Sequence, residues 1–353
     1  VKFGALTERI EGSATELAEY AGLLSPLDFG DVRAEYEAAT TGVSLMPLPA
    51  RTRIVVEGSE RVDYLHGQMT SDVRSLQRGA GQATLFLTAQ GRVESLAALY
   101  DRGESLEIVC DLEQLDATLE RAGRFLVADD VELEPGQSES HDRFALVGPG
   151  VSRVLERLGG SSAASKTGWW CAEAEFAGTA ATAYARGDLR VPVVELRCAD
   201  PLRVWDAAVE AGAVPMGTAA FEILRVESGT ARYGVDVDDS RIAIEARLEW
   251  AIHFSKGCYV GQEVIERAVT RGRLNRRLAL LACEGPVARG ETVDGENEKC
   301  TVTSVVDSPR FGSLCLAYLP VERERDGETV SIGGHGARVL PWPRPTVLAG
   351  RDA

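Results

Sequence analysis

The chain has 353 residues, 44% hydrophobic and 26% charged, more than one hydrophobic core usually organises, so two or three ordinary globular domains are expected. Its 54 acidic against 38 basic side chains leave a net charge of −16, which repels nucleic acid and anionic membrane taken as a whole. Seven cysteines without a C-x-x-C pair argue against a disulfide framework or a zinc ribbon, and no run approaches about 18 uninterrupted apolar residues, so a cytoplasmic protein that spans no membrane is expected.

In chain order, periodicity predicts an opening helix over 11–24 and a second over 31–40, then a connection containing Pro47 and Pro49. A strand follows over 51–57, and Ser59 is a candidate N-cap for a helix running through His66. Residues 82–88 and 92–100 read as a hairpin around Ala89-Gln90-Gly91, with a third strand at 105–110 and a helix over 113–125. After a polar linker at 134–142 come a strand at 143–147, a helix at 151–158, a small-residue loop at 159–165 and a strand at 191–198. Helices over 201–211 and 218–228 and an amphipathic run over 263–269 follow. Beyond 275, short runs at 277–282, 300–306, 314–318, 329–332 and 337–340 alternate with Gly-rich turns, the texture of a small all-β barrel or sandwich.

The densest chemistry lies at Lys256-Gly257-Cys258-Tyr259-Val260-Gly261-Gln262-Glu263, which gathers an amine, a thiol, an amide, a carboxylate and two glycines. No core-packing rule asks for that mixture. Glycines permit close backbone approach, and a lysine beside a cysteine ahead of a helix start favours thiolate. Cys258 is therefore expected to be reactive, against the commoner fate of a free cysteine as a small buried hydrophobe. Arg267, Arg271, Arg273, Arg276 and Arg277 follow closely, either as a solvated connection or as an anion-binding rim. His66, His141, His253 and His335 show neither metal-ligand spacing nor a triad pattern, so no metal site and no catalytic histidine is expected.

This string resembles the K-G-C-[aromatic]-x-G-Q-E signature of the YgfZ family, folate-binding proteins related to the aminomethyltransferase of the glycine cleavage system. Gly58 to Val73, ending in Thr70-Ser71-Asp72-Val73, is similar to the superfamily's strand-to-helix segment and its T-[NS]-D-V turn. Arg225-Val226-Glu227-Ser228-Gly229, followed by Tyr233-Gly234-Val235-Asp236, resembles its R-x-E-x-G element. The resemblance implies an α+β fold: a three-domain aminomethyltransferase-like ring with a folate-binding central channel and a C-terminal all-β barrel. Mapped here, that gives a discontinuous folate-binding domain at 1–50 and 135–275, an inserted domain at 51–134 and the barrel at 276–345.

It further implies tetrahydrofolate or a one-carbon derivative as cofactor, with Cys258 as the reactive or partner-contacting group. Glu227 is the counterpart of a glutamate whose carboxylate accepts parallel N–H bonds from the pterin edge, and Lys256 occupies a basic position that contacts folate. Tyr259, with Tyr233 and Trp250, is an aromatic candidate for stacking on the ligand or for core packing. Arg271 and Arg273 belong to the rim that suits a polyglutamylated tail, while Gly257, Gly261, Gln262 and Glu263 would orient the Cys258 loop.

One departure stands out. The aminomethyltransferase carries G-G-x-x-D-D after the first hairpin turn, where an aspartate assists attack by the folate N5; here the segment is Gly91-Arg92-Val93-Glu94-Ser95-Leu96. Ser95 and Leu96 cannot supply that carboxylate, and Glu94 lies one residue off, which on a strand means the opposite face. The first expectation is therefore a tetrahydrofolate-binding protein of the YgfZ type that supports maturation or repair of iron–sulfur enzymes and, through them, tRNA thiomodification. An iron–sulfur assembly or client protein would be its partner. The alternative is a folate-dependent aminomethyltransferase or demethylase in which Glu94 replaces the missing acid. A third reading is a scaffold that docks a client protein on its acidic surface and arginine rim.

Overall fold

In a computed structural model the described residues are 5–48, 50–136, 143–271, 274–294 and 300–344. Helix α1 (Ala5–Glu11) is followed by the hairpin β1 (Glu16–Tyr20) and β2 (Leu23–Asp28). The expected opening helix over 11–24 is thus corrected. Ala21 and Gly22 both take positive φ, 52° and 89°, the backbone of a two-residue turn whose twist matches the strands it joins. Helix α2 (Val32–Thr41) starts where expected, because the Asp31 carboxylate accepts from the backbone N–H groups of Arg33 and Ala34.

Pro47 ends strand β3 (Ser44–Pro47), and β4 (Arg51–Glu57) leads to α3 (Arg61–Gln68). Ser59 does not cap that helix: its hydroxyl donates to Asp130 at 2.6 Å. Strands β5 (Gly81–Leu87), β6 (Val93–Asp101) and β7 (Leu106–Asp111), helix α4 (Leu115–Gly123) and strand β8 (Glu132–Pro135) follow. Next come β9 (Arg143–Val147), α5 (Val151–Arg157) and a short α6 (Ser161–Ala164) inside what the sequence presents as a loop. Strands β10 (Trp170–Phe176), β11 (Thr179–Arg186) and β12 (Val193–Cys198) lead through α7 (Pro201–Glu210) and β13 (Val214–Pro215) to α8 (Thr218–Glu227) and α9 (Gln262–Arg271). The chain closes with β14 (Arg276–Cys283), β15 (Val302–Ser308), β16 (Gly312–Pro320), β17 (Thr329–Ile332) and β18 (His335–Leu340). Pro49 and linker residues 137–142 lie outside the described residues.

The chain divides into two units. The first comprises Val1–Leu65, Val73–Ala83 and Ala97–Leu224. It holds the six-stranded sheet β10-β11-β12-β9-β3-β13, whose apolar face packs under α5 and α7 through Leu45, Phe144, Leu155, Phe176, Leu196 and Trp205. Trp205 meets Phe144 edge-on at 5.5 Å. The second unit comprises His66–Asp72, Thr84–Leu96 and Arg225–Ala353. In it the antiparallel sheet β15-β16-β14-β18-β17 buries Leu281, Cys315, Leu319, Val330, Ile332 and Val339 on one face, as the alternating C-terminal runs predict. A further sheet has the order β5-β6-β7-β4-β8. Among the described residues no helix is long and apolar enough to cross a membrane.

Candidate functional site

All the residues of the 256–263 motif belong to the second unit, and Lys256 fixes its geometry. The side chain is buried, and its ammonium donates to the carbonyl oxygens of His66 at 2.5 Å, Met69 at 2.6 Å and Ser71 at 2.8 Å. Three protons meet three acceptors, and the charge also lies 5.1 Å from the centre of the Tyr259 ring. The amine expected to contact folate and stabilise the Cys258 thiolate is thus directed at the backbone of the 66–71 turn. Thr70 adds a second tie: its hydroxyl donates to Ala251 O at 2.6 Å and accepts from Leu85 N at 2.9 Å.

Gly261 explains why the loop ends in glycine. It takes φ +88°, and a β-carbon there would lie 2.5 Å from Thr88 O and 3.3 Å from Gly91 Cα. The loop therefore packs glycine to glycine against the Thr88–Gly91 turn before α9 begins at Gln262. Gly257 is exposed, and a β-carbon there would meet only His66 Nε2, at 3.8 Å. Cys258 is exposed, unlike Cys110, Cys171, Cys198, Cys300 and Cys315, which are buried. Tyr259 is buried, its hydroxyl has no hydrogen-bond partner among the described residues, and burial pushes its pKa well up. Glu263 is exposed and ion-paired one turn along to Arg267.

The R-x-E-x-G element divides its labour. Arg225, 3% exposed, donates to Asp236 Oδ2, Thr230 O and Ser304 Oγ, each at 2.7 Å. Asp236 in turn accepts from Thr303 at 2.5 Å and Ser304 at 2.7 Å, so Arg225 and Asp236 form a buried pair bolted to β15. Nothing in the sequence marks either residue as structural, although both sit in the matched segment. Glu227 is buried as well and accepts from Ser308 Oγ at 2.6 Å.

The five-arginine rim is corrected in part. Arg267 is held by Glu263, Arg276 by Glu245 at 3.2 Å, and Arg277 is buried against Glu249. The Arg271 side chain and Arg273 lie outside the described residues. Sequence reading also passes over His66, whose buried ring places Nδ1 3.2 Å from Asp72 Oδ1. Its distance in the chain from Cys258 hides the proximity to Gly257.

At the departure on β6, Ser95 is fully buried whereas Glu94 and Leu96 are half-buried on the other face. Burial, then the charges of Asp239, Asp238 and Glu94, push the Tyr233 phenol up to about 12. Glu94 is thus close enough to act electrostatically on the tyrosine of the Y-G-V-D segment.

The GCVT N-terminal domain matches residues 6–256. An aminomethyltransferase of Rubrobacter xylanophilus is 30% identical over 352 residues, covering 96% of this chain and 92% of that protein. One of Geobacillus kaustophilus is 29% identical over 343 residues, covering 92% and 93%. The glycine cleavage system aminomethyltransferase T from Bartonella henselae matches with a TM-score of 0.84 and 20% identity over 97% of each chain, which shows the same mixed α+β fold. With the domain match spanning most of its length and the likeness to those relatives running nearly end to end, this chain belongs to the GCVT N-terminal domain family.

Proposed function

We propose that the chain binds tetrahydrofolate and acts as a folate-dependent transferase of the aminomethyltransferase type. The observation that carries this reading is the 30% identity to an aminomethyltransferase over 96% of the chain. The donor set suits a reduced pterin. Glu94 and Glu227 supply carboxylates to planar N–H donors, and Tyr233 and Trp250 supply rings, all within the second unit. When bound, tetrahydrofolate supplies the nitrogen nucleophile that accepts a one-carbon unit. In this reading Glu227 orients the pterin edge, Tyr259 lines the ligand side of the loop, and Arg271 and Arg273 meet a glutamyl tail. Glu94, sharing the face of Leu96, stands in for the acid missing at 96. Lys256 acts by holding the 66–71 turn in place.

A second reading is favoured by the exposed Cys258 in its KGCYVGQE loop together with the buried Ser95. Here the chain is a YgfZ-type folate-binding protein that assists iron–sulfur enzymes, and Cys258 contacts the client or reacts. One experiment separates the two. Purified chain is mixed with tetrahydrofolate and the aminomethyl-loaded carrier protein of glycine cleavage, and methylene-tetrahydrofolate and ammonia are followed. Turnover that falls at least tenfold in Glu94→Gln supports the transferase, folate binding without turnover supports the second reading, and absence of folate binding in calorimetry overturns both.

A further inference from the structure

The first unit carries a cleft of about 1200 Å³ that none of the motifs above accounts for. Its floor is set by strand register. Arg143 on β9 pairs with Arg197 on β12, and Arg197 with Thr182 on β11. Cross-strand partners share a face of the sheet, and Thr182 pairs in turn with Glu173 on β10, so two guanidinium groups, a hydroxyl and an exposed carboxylate stand in one row. Ala180 and Ala199, two residues along on that same face, are too small to fill the space above it. Arg53 of β4 also lines the cleft.

Placing like charges directly opposite each other destabilises an antiparallel pair. Neither Arg143 nor Arg197 has a carboxylate ion-paired to it among the described residues, and Arg53 reaches Glu107 only at 3.4 Å. Arg197 donates to Thr182 Oγ1 at 3.2 Å, which leaves the threonine proton for another acceptor. Arg143 is 9% exposed, and its Nη1 has no hydrogen-bond partner among the described residues. Burial, together with Arg53 and Arg197 and against Tyr184 and Glu195, pushes that guanidinium down to about 10, so it still carries its charge at neutral pH. A buried cation with an unused donor, beside a second guanidinium in the same row and with a third lining the same cleft, is a costly arrangement for a fold to keep unless an anion neutralises it.

We propose that this cleft is a binding site for a small molecule bearing one carboxylate or one phosphate group, seated on Arg143 and Arg197 with the Thr182 hydroxyl as a third donor. Exposed Glu134, Glu173 and Glu175 also line the cleft, and their charge disfavours polyanions such as triphosphates. The site lies within the first unit and does not rest on the folate reading.

The test is calorimetric titration of the full chain at neutral pH and constant ionic strength with inorganic phosphate, with propionate and with triphosphate. Saturable binding of phosphate or propionate is expected, with triphosphate weaker than either that binds, and the probe that binds names the ligand class. Arg197→Gln should weaken that binding at least tenfold. Arg143→Met should do the same wherever its circular dichroism spectrum matches the parent; if it does not fold, the Arg197→Gln result decides. No saturable binding of either phosphate or propionate, tightest binding by triphosphate, or parental affinity in Arg197→Gln would overturn the proposal.

Discussion

The ammonium nitrogen of Lys256 and the carbonyl oxygen of Ser71 lie 2.8 Å apart although 185 residues separate them in the chain. With the bonds to Met69 and His66, this contact makes the lysine a clamp on the last turn of α3 and the bend that follows it. Lys256→Met keeps most of the stem and removes the charge, leaving buried carbonyls without a donor. A loss of about 3 kcal/mol in urea unfolding is expected. A variant that unfolds like the parent but fails to bind folate would instead return the amine to direct ligand contact.

The two glycines of the motif should respond oppositely to the same change. Gly261→Ala forces a β-carbon against Thr88 O at a positive φ and should cost about 2–4 kcal/mol. Gly257→Ala meets only His66 Nε2 at van der Waals distance and should change stability by no more than about 0.5 kcal/mol. Equal urea midpoints for the two variants would contradict the packing of Gly261 onto the Thr88–Gly91 turn.

What can be read in advance follows the range of the interaction. The C-terminal strands are legible because alternating apolar residues and glycine turns are local signals, and α2 because Asp31 caps it within three residues. The pair β10 and β11 escapes sequence reading: its many alanines and the glutamates of β10 have low strand propensity, and only the Ala177-Gly178 turn, with both φ positive, marks the hairpin. The exposed thiol of Cys258 agrees with a loop ahead of a helix. The partners of Lys256, Arg225, Arg276 and Arg277 are not legible, because each is settled by backbone or carboxylates brought in by tertiary folding.

Asp236 and Arg225 offer a sharper test of the motif's structural half. Asp236→Asn removes the carboxylate charge that the buried Arg225 guanidinium meets at 2.7 Å. Destabilisation of about 3–5 kcal/mol is expected. The double variant Arg225→Met with Asp236→Asn should recover part of that loss. Additive losses in the double variant would show that the two residues act independently.

Glu35 supplies a pH signature in the first unit. It is buried and accepts from Phe29 N at 2.6 Å and Gly217 N at 2.9 Å, but burial outweighs those bonds and raises its carboxyl above the ordinary 4.5. The native state therefore holds this proton more tightly than the unfolded chain. The contribution is fully present below 4.5 and declines as pH rises through the raised native value. Stability of the parent relative to Glu35→Gln, measured by urea unfolding from about pH 4 to about pH 7, should fall with pH. A flat difference would mean that the carboxyl is not shifted.

Cys258 is the last case, and it bears on function as well as structure. It is exposed, whereas burial pushes the thiols of Cys110 and Cys198 up to about 12 and raises that of Cys171. Since the thiolate is the nucleophile, iodoacetamide near neutral pH should label Cys258 ahead of these three in the folded chain, and peptide mapping can rank them. Cys258→Ser should leave urea unfolding within about 0.5 kcal/mol, because the side chain packs against little. If the chain transfers aminomethyl groups through Glu94, the serine variant should keep parental turnover with the loaded carrier. If the cysteine contacts or modifies a client, the same variant should bind folate normally and fail to restore iron–sulfur enzyme activity in cells lacking the protein. Labelling of Cys258 no faster than Cys110, together with full function of the serine variant in both assays, would reduce the thiol to a surface side chain and leave the motif's work to its glycines and Lys256.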